Sequence, residues 1–178
     1  MTYEEALSFI HQTDWKGSRL GLDRMRELMG LLGNPQERLR FIHVAGTNGK
    51  GSTCAMLASV LTAAGYRTGM YISPHLVRVN ERISVNGADI SDGDLIAAAE
   101  QVRDAAGNMA DQPTEFELIT AMALCHFARQ RCDLVVLEVG LGGRLVATNI
   151  IPPPEAAVIT NIGLEHTEVL GDTPEKIA

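Results

Sequence analysis

Three glycines and a lysine crowd into one short stretch, Gly46-Thr47-Asn48-Gly49-Lys50-Gly51-Ser52, between an apolar run and a helical one. Such a loop suits phosphate. Glycines let backbone N–H groups close around the oxygens, the dipole of the following helix favours the anion, and Lys50 would neutralise charge on the outer phosphates. A glycine-rich turn ending in a solvated lysine is the plain alternative, and the flanking strand and helix argue against it. In the GxxxxGK[ST] loop the first glycine stands six residues before the lysine; here it stands four before Lys50. Gly51 also replaces the hydroxyl that usually meets Mg²⁺, so that ligand must come from elsewhere. Ser52 is one residue late. Ser73, in YISPHL, could reach the same site or could simply be a turn residue before Pro74.

An acid, Glu138, closes the apolar run DLVVLEV, where an unpaired buried carboxylate is costly. A cation offsets that cost, so Glu138 is read as a metal ligand, with an ion pair to Arg144 as the alternative. His166, in NIGLEHTEVLG, could be a metal ligand, a phosphate donor or a surface histidine. The segment GLGGRL is a poor dinucleotide fingerprint, because the third glycine position falls on Leu145 and no long helix follows. Thr114 and Glu117 of the TEFE segment make a capping box by themselves. Phe116 and the segment Arg19-Leu20-Gly21-Leu22 could wall a pocket for a flat organic substrate.

The elements that must position these residues are legible from periodicity and caps. Thr2 and Glu5 cap a short amphipathic helix, and Met25, Leu28, Met29 and Leu32 mark a second one closed by Gly33-Asn34-Pro35. A strand over 39–45 runs into the glycine loop, followed by the helical stretch CAMLASVLTAA, stopped at Gly65. A second strand, RTGMYIS, precedes a hairpin turned at Asn86-Gly87, which reads as an insertion. Ser91 with Asp94, and Thr114 with Glu117, open two more helices. The runs DLVVLEV and AAVITNI complete the alternation and predict an α/β fold, with a mainly parallel sheet covered on both faces by helices. The loop, Ser73, Glu138 and 161–166 would then all lie at the sheet's carboxyl edge, where open α/β sheets bind ligands. Thr173-Pro174-Glu175 should open one more helix, of which the sequence contains about one turn.

With 178 residues, 46% hydrophobic and 21% charged, the chain matches one globular domain. A net charge of −7 offers no basic excess for nucleic acid or an anionic membrane, so an anionic ligand must be held locally. No apolar run approaches the ~20 residues of a membrane helix, and MTYEEALSFI carries acids where a signal peptide is basic. A cytoplasmic protein is therefore expected. Cys54, Cys125 and Cys132 lack metal spacing and read as buried or incidental thiols.

Taken together, GTNGKGS, SPHLVRVNERI, TEFE, EVGLGGRLVATN and TNIGLEHTEVLG resemble, in order and spacing, the folylpolyglutamate and dihydrofolate synthases of the Mur ligase superfamily. The resemblance spans the whole chain. It implies a P-loop NTPase-like fold of the Mur ligase central-domain type and ATP-dependent joining of L-glutamate to dihydropteroate or a folate. A substrate carboxylate would be phosphorylated by ATP, and the glutamate amine would attack the acyl phosphate. By resemblance, Thr47, Asn48, Gly49, Lys50, Gly51 and Ser52 bind ATP, while Ser73, Glu138 and His166 hold Mg²⁺. Substrate contacts would come from Arg19, Leu20, Gly21, Leu22, Thr114, Glu115, Phe116, Glu117, Leu145, Val146 and Ala147. Relatives read GGRLDATN, and Val146 stands in the aspartate's place, which predicts weaker dihydropteroate use. Such enzymes are more than twice this length, so the chain is expected to be their N-terminal ATP-binding portion, lacking the glutamate-binding domain. The chain is expected to be a monomer, and a non-catalytic Mg-ATP-binding fragment or remnant of such a ligase is the alternative.

Overall fold

The computed structural model describes residues 1–11, 19–164, 167–173 and 177. Its strands are β1 (Phe41–Ala45), β2 (Thr68–Tyr71), β3 (Ile83–Val85), β4 (Ala88–Asp89), β5 (Leu134–Glu138) and β6 (Ala156–Ile159). They form one sheet in the order β4-β3-β2-β5-β1-β6, with β2, β5, β1 and β6 parallel and β3 and β4 antiparallel. The helices are α1 (Tyr3–His11), α2 (Asp23–Leu31), α3 (Lys50–Ala63), α4 (Asp92–Ala106), α5 (Glu115–Arg129) and the short α6 (Thr167–Leu170). No helix among the described residues is long and apolar enough to cross a membrane.

Local chemistry explains where most elements start. Thr2 and Glu5 exchange side-chain and backbone hydrogen bonds at the head of α1, at 2.7 and 3.2 Å. Ser91 accepts from the Asp94 N–H at the head of α4, and Thr114 and Glu117 form the reciprocal box at the head of α5. Asn86 and Gly87 both take positive φ, 51° and 79°, which a two-residue turn between β3 and β4 requires. That hairpin is no separate insertion. It pairs with β2 and extends the sheet as its antiparallel edge, because β2 would otherwise leave its backbone donors open.

Side chains alternate across the pleat. Phe41, Tyr71, Ile83, Val135 and Leu137 face a large core built with α1, α2, α4 and α5. Val44, Val136, Ile42, Met70, Ile72 and Val158 face α3 and its buried Cys54. β5 is buried at all five residues. β6 departs from the expectation of strands covered on both faces: Ala156, Ala157 and Ile159 are exposed, Ile159 at 67%. All three cysteines are buried free thiols. The helix expected to open at 173 falls largely on residues outside those described.

Candidate active site

The carboxyl edge of the parallel strands brings together what the sequence spreads over more than a hundred residues. Val44 lies opposite Glu138 in register, so the loop leaving β1 starts beside the carboxylate that closes β5. Lys50 Nζ donates to the carbonyls of Gly46 (2.7 Å) and Thr47 (3.0 Å), which holds its ammonium inside the curve of the loop. Gly49 caps α3 in the left-handed region, φ 79°, and the backbone of 49–52 turns directly into the helix. The loop thus aims the N-terminus of a 14-residue helix at whatever anion lies above it. Asn48 and Ser52 are exposed at its outer side.

The loop is stitched to the segment leaving β6. The Asn161 carbonyl accepts from the Thr47 N–H (2.8 Å), and Asn161 Oδ1 accepts from the Asn48 N–H (2.9 Å). Thr47 Oγ1 accepts from the Gly163 N–H (3.0 Å). Gly46, at φ +128°, is the tightest point: a Cβ there would sit 2.2 Å from Thr160 Oγ1 and 2.9 Å from the Asn161 carbonyl. His166, three residues beyond Gly163, lies outside the described residues.

Glu138 is only 4% exposed and accepts a 2.8 Å hydrogen bond from the Ser73 N–H, which brings the end of β2 to the end of β5. A Cβ on Gly51 would lie 3.9 Å from both carboxylate oxygens, so the first turn of α3 forms the third side of this niche. Burial pushes the Glu138 carboxyl above the usual range; the Ser73 N–H and the Lys50 charge pull it back only in part. No ion pair joins Glu138 to Arg144 among the described residues, and Arg144 is exposed. Cys54, beneath the niche, has its thiol pushed up to about 12 by burial and then by the Glu138 charge, which makes it a poor nucleophile.

A hard cation fits this donor set. One buried carboxylate and the adjacent serine offer oxygen only, and Mg²⁺ is commonly held by one or two such groups together with substrate phosphates. No group of three or more His, Cys, Asp or Glu side chains stands ready to hold a metal among the described residues, so phosphate oxygens would have to complete the shell.

Two residues beyond Glu138 the chain reaches a second region. Gly140 lies against the Phe116 ring so closely that a Cβ would be 2.5 Å from it, and Phe116 in turn packs 6.1 Å from the buried Tyr71. Glu115 contacts His11 Nδ1 at 3.2 Å and, more loosely, Arg82 at 4.0 Å. Thr114 and Glu117 are buried. The Gly21 N–H donates to the Leu145 carbonyl at 3.0 Å, joining the segment 19–22 to 145–147, and Leu22 leads into α2. Leu20 and Leu145 reach solvent, whereas Val146 and Ala147 face inward. Of the segments expected to wall a substrate pocket, 19–22 and 145–147 are bonded to each other, and α2 and the turn at 147–150 that follow them both pack against α5, the helix that carries 115–117.

Sequence reasoning passed over Arg24, whose guanidinium spans both Glu117 oxygens at 3.0 and 3.1 Å. Its position four residues before the buried Leu28, on the edge of the apolar stripe, was the available signal. It also passed over Arg82, buried and donating to His75 Nδ1 at 2.9 Å just beyond Ser73.

Residues 44–178 match the family described as the Mur ligase middle domain. The dihydrofolate synthase/folylpolyglutamate synthase of Bacillus subtilis is 46% identical over 181 residues, covering 99% of this chain and 42% of that protein. The folylpolyglutamate synthase of Lacticaseibacillus casei is 40% identical over 183 residues, covering 100% and 42%. Among solved structures, E. coli FolC in complex with DHPP and ADP superposes with a TM-score of 0.93 at 42% identity, covering 99% of this chain and 42% of that one. An FPGS–AMPPCP–folate complex gives 0.93 at 41% identity, covering 99% and 44%. The chain spans less than half the length of these relatives.

Proposed function

The chain belongs to the Mur ligase middle-domain family, and from that premise we propose that it is the ATP-binding portion of a ligase that adds L-glutamate to dihydropteroate or to a folyl-polyglutamate. The observation that carries the reading is the Glu138 niche. A buried carboxylate without a cation partner among the described residues, set against the first turn of a helix that follows a glycine loop, offers an oxygen ligand to a phosphate-bound magnesium ion. The similar proteins, synthases of this kind and complexes with ADP, AMPPCP and folate, support the same reading.

In the proposed reaction the loop N–H groups and the α3 N-terminus bind the phosphates of ATP, and Lys50 exchanges its loop carbonyls for phosphate oxygens as charge builds on the transferring group. Glu138, oriented by the Ser73 N–H, and the Ser73 hydroxyl would hold Mg²⁺, with His166 as a further ligand. Bound there, Mg²⁺ would neutralise phosphate charge and act as a Lewis acid. The substrate carboxylate takes the γ-phosphoryl group and releases ADP; the glutamate amine then displaces phosphate to form the amide. The segments 19–22, 114–117 and 145–147 would hold the flat end of the substrate beside Phe116.

Titration calorimetry with Mg-ATP tests the core of the proposal. Binding is expected to vanish on adding EDTA and to weaken about a hundredfold or more in Lys50→Ala. Equal binding by Lys50→Ala would refute the phosphate-loop assignment. A glutamate-addition assay on the 178-residue chain tells whether these residues suffice for turnover; binding without turnover identifies a nucleotide-binding fragment of such a ligase.

A further inference from the structure

We infer that Arg24 is a positioning residue for the wall that receives the flat ring of the substrate, and that Glu117 serves this clamp instead of touching the ligand. The inference rests on the ligase reading above. Arg24 Nε and Nη2 donate to Glu117 Oε2 and Oε1, Nη2 also donates to the Arg19 carbonyl at 3.0 Å, and Nη1 lies 3.5 Å from Asp111. The two side chains of the central pair are 10% and 3% exposed, so these charge-assisted bonds work in a poorly screened environment. Glu117 Oε2 accepts from the Thr114 N–H as well, at 2.8 Å. With three donors on its two oxygens, Glu117 is committed to the protein.

Two other contacts turn this clamp into a device that sets a gap. Arg24 holds the backbone of the 19–22 segment through the Arg19 carbonyl, while the Gly21 N–H fixes the same segment to the Leu145 carbonyl. Leu20 and Leu145, exposed at 37% and 42%, are thereby carried on two lips joined by one hydrogen bond. Glu117 is also one residue from Phe116, whose ring is pressed onto Gly140. One guanidinium therefore holds both the lip bearing Leu20 and the first turn of α5, on which Phe116 sits. Flat heterocycles bind between apolar faces of this kind, and affinity depends on the spacing being held in advance.

Removing Arg24 alone strands a buried carboxylate, so the decisive variant is the pair Arg24→Met/Glu117→Gln, which removes both charges together and keeps an acceptor for the Thr114 N–H. On the 178-residue chain, titrations with Mg-ATP and with pteroate are compared, together with amide exchange at Gly21. In the double variant the melting transition and the Mg-ATP affinity are expected to stay within about twofold and a few degrees of the original. Pteroate affinity should fall about tenfold or more, and the Gly21 amide should exchange about tenfold faster. Unchanged pteroate affinity would overturn the inference, as would a parallel loss of pteroate and Mg-ATP, which marks a general structural role. If the original chain binds Mg-ATP but neither pteroate nor a folyl-polyglutamate, the substrate side of the ligase reading fails, and this shows before any variant is compared.

Discussion

The two faces of the sheet are built to different standards. On one side α1, α2, α4 and α5 enclose every one of the largest fully buried side chains, among them Tyr71, Phe41, Phe127, Met25 and Leu118. Each contributes roughly 1.5–3 kcal/mol of burial. On the other side, among the described residues, α3 with its buried Cys54 covers the sheet over Val44 and Val136, and Met56 and Val60 look out to solvent. The proposed substrate wall stands at the edge of the thick side and the proposed phosphate loop at the edge of the thin one. A wall that sets a gap draws rigidity from a packed core. A loop that closes around phosphate is held by backbone bonds to the next loop, with little core beneath it.

Four measurements would break or sharpen that contrast. Arg24→Met alone leaves Glu117 buried at 3% exposure without its cation, and urea unfolding should show a loss of about 3–5 kcal/mol. A loss below about 1 kcal/mol would mean that the thick side does not depend on the clamp.

His43 in β1 comes next. Burial depresses its imidazole to about 4, and its Nε2 lies 3.1 Å from Thr148 Oγ1. Since the unfolded ring titrates near 6.5, the stability it contributes is complete above that pH and drains away as pH falls towards 4. The loss should reach roughly 2–3 kcal/mol. Unfolding titrations across this window should be flatter in His43→Gln; the same slope in both would remove His43 from the account.

On the thin side, Gly46→Ala forces a methyl group against Thr160 and Asn161. We expect about 2 kcal/mol of destabilisation with a much larger fractional loss of Mg-ATP binding, because the clash falls where the two loops are joined. Retained affinity in calorimetry would show that this junction is not needed for binding.

The smallest effect has the opposite sign. Burial raises the proton affinity of Glu138, so its charged form destabilises the metal-free fold as pH rises above the unfolded carboxyl value. Glu138→Gln should therefore stabilise the metal-free chain at pH 7, by less than the other three changes alter it, with the gain vanishing below about pH 4.5, while Mg²⁺-dependent nucleotide binding is lost. A variant no more stable than its parent at neutral pH would place that carboxylate in a well-solvated setting.

The sequence by itself determined whatever depends on neighbours within about four residues. Capping boxes at Thr2, Ser91 and Thr114, the Asn86-Gly87 turn, the heptad-like stripe of α2 and the strand–loop–helix context of Lys50 all rest on such short-range bonding, and all are present in the fold. The meeting of the β1, β2, β5 and β6 ends followed from the rule that parallel strands share one carboxyl edge. Only the tertiary structure decided that Glu117 turns to Arg24, 93 residues away, that Gly21 bonds to Leu145, that Gly46 has room for nothing but hydrogen, and that β6 stands exposed. Those outcomes depend on how packed elements approach one another. An arginine on a helix edge and a glycine in a loop have many possible partners, and close packing selects one.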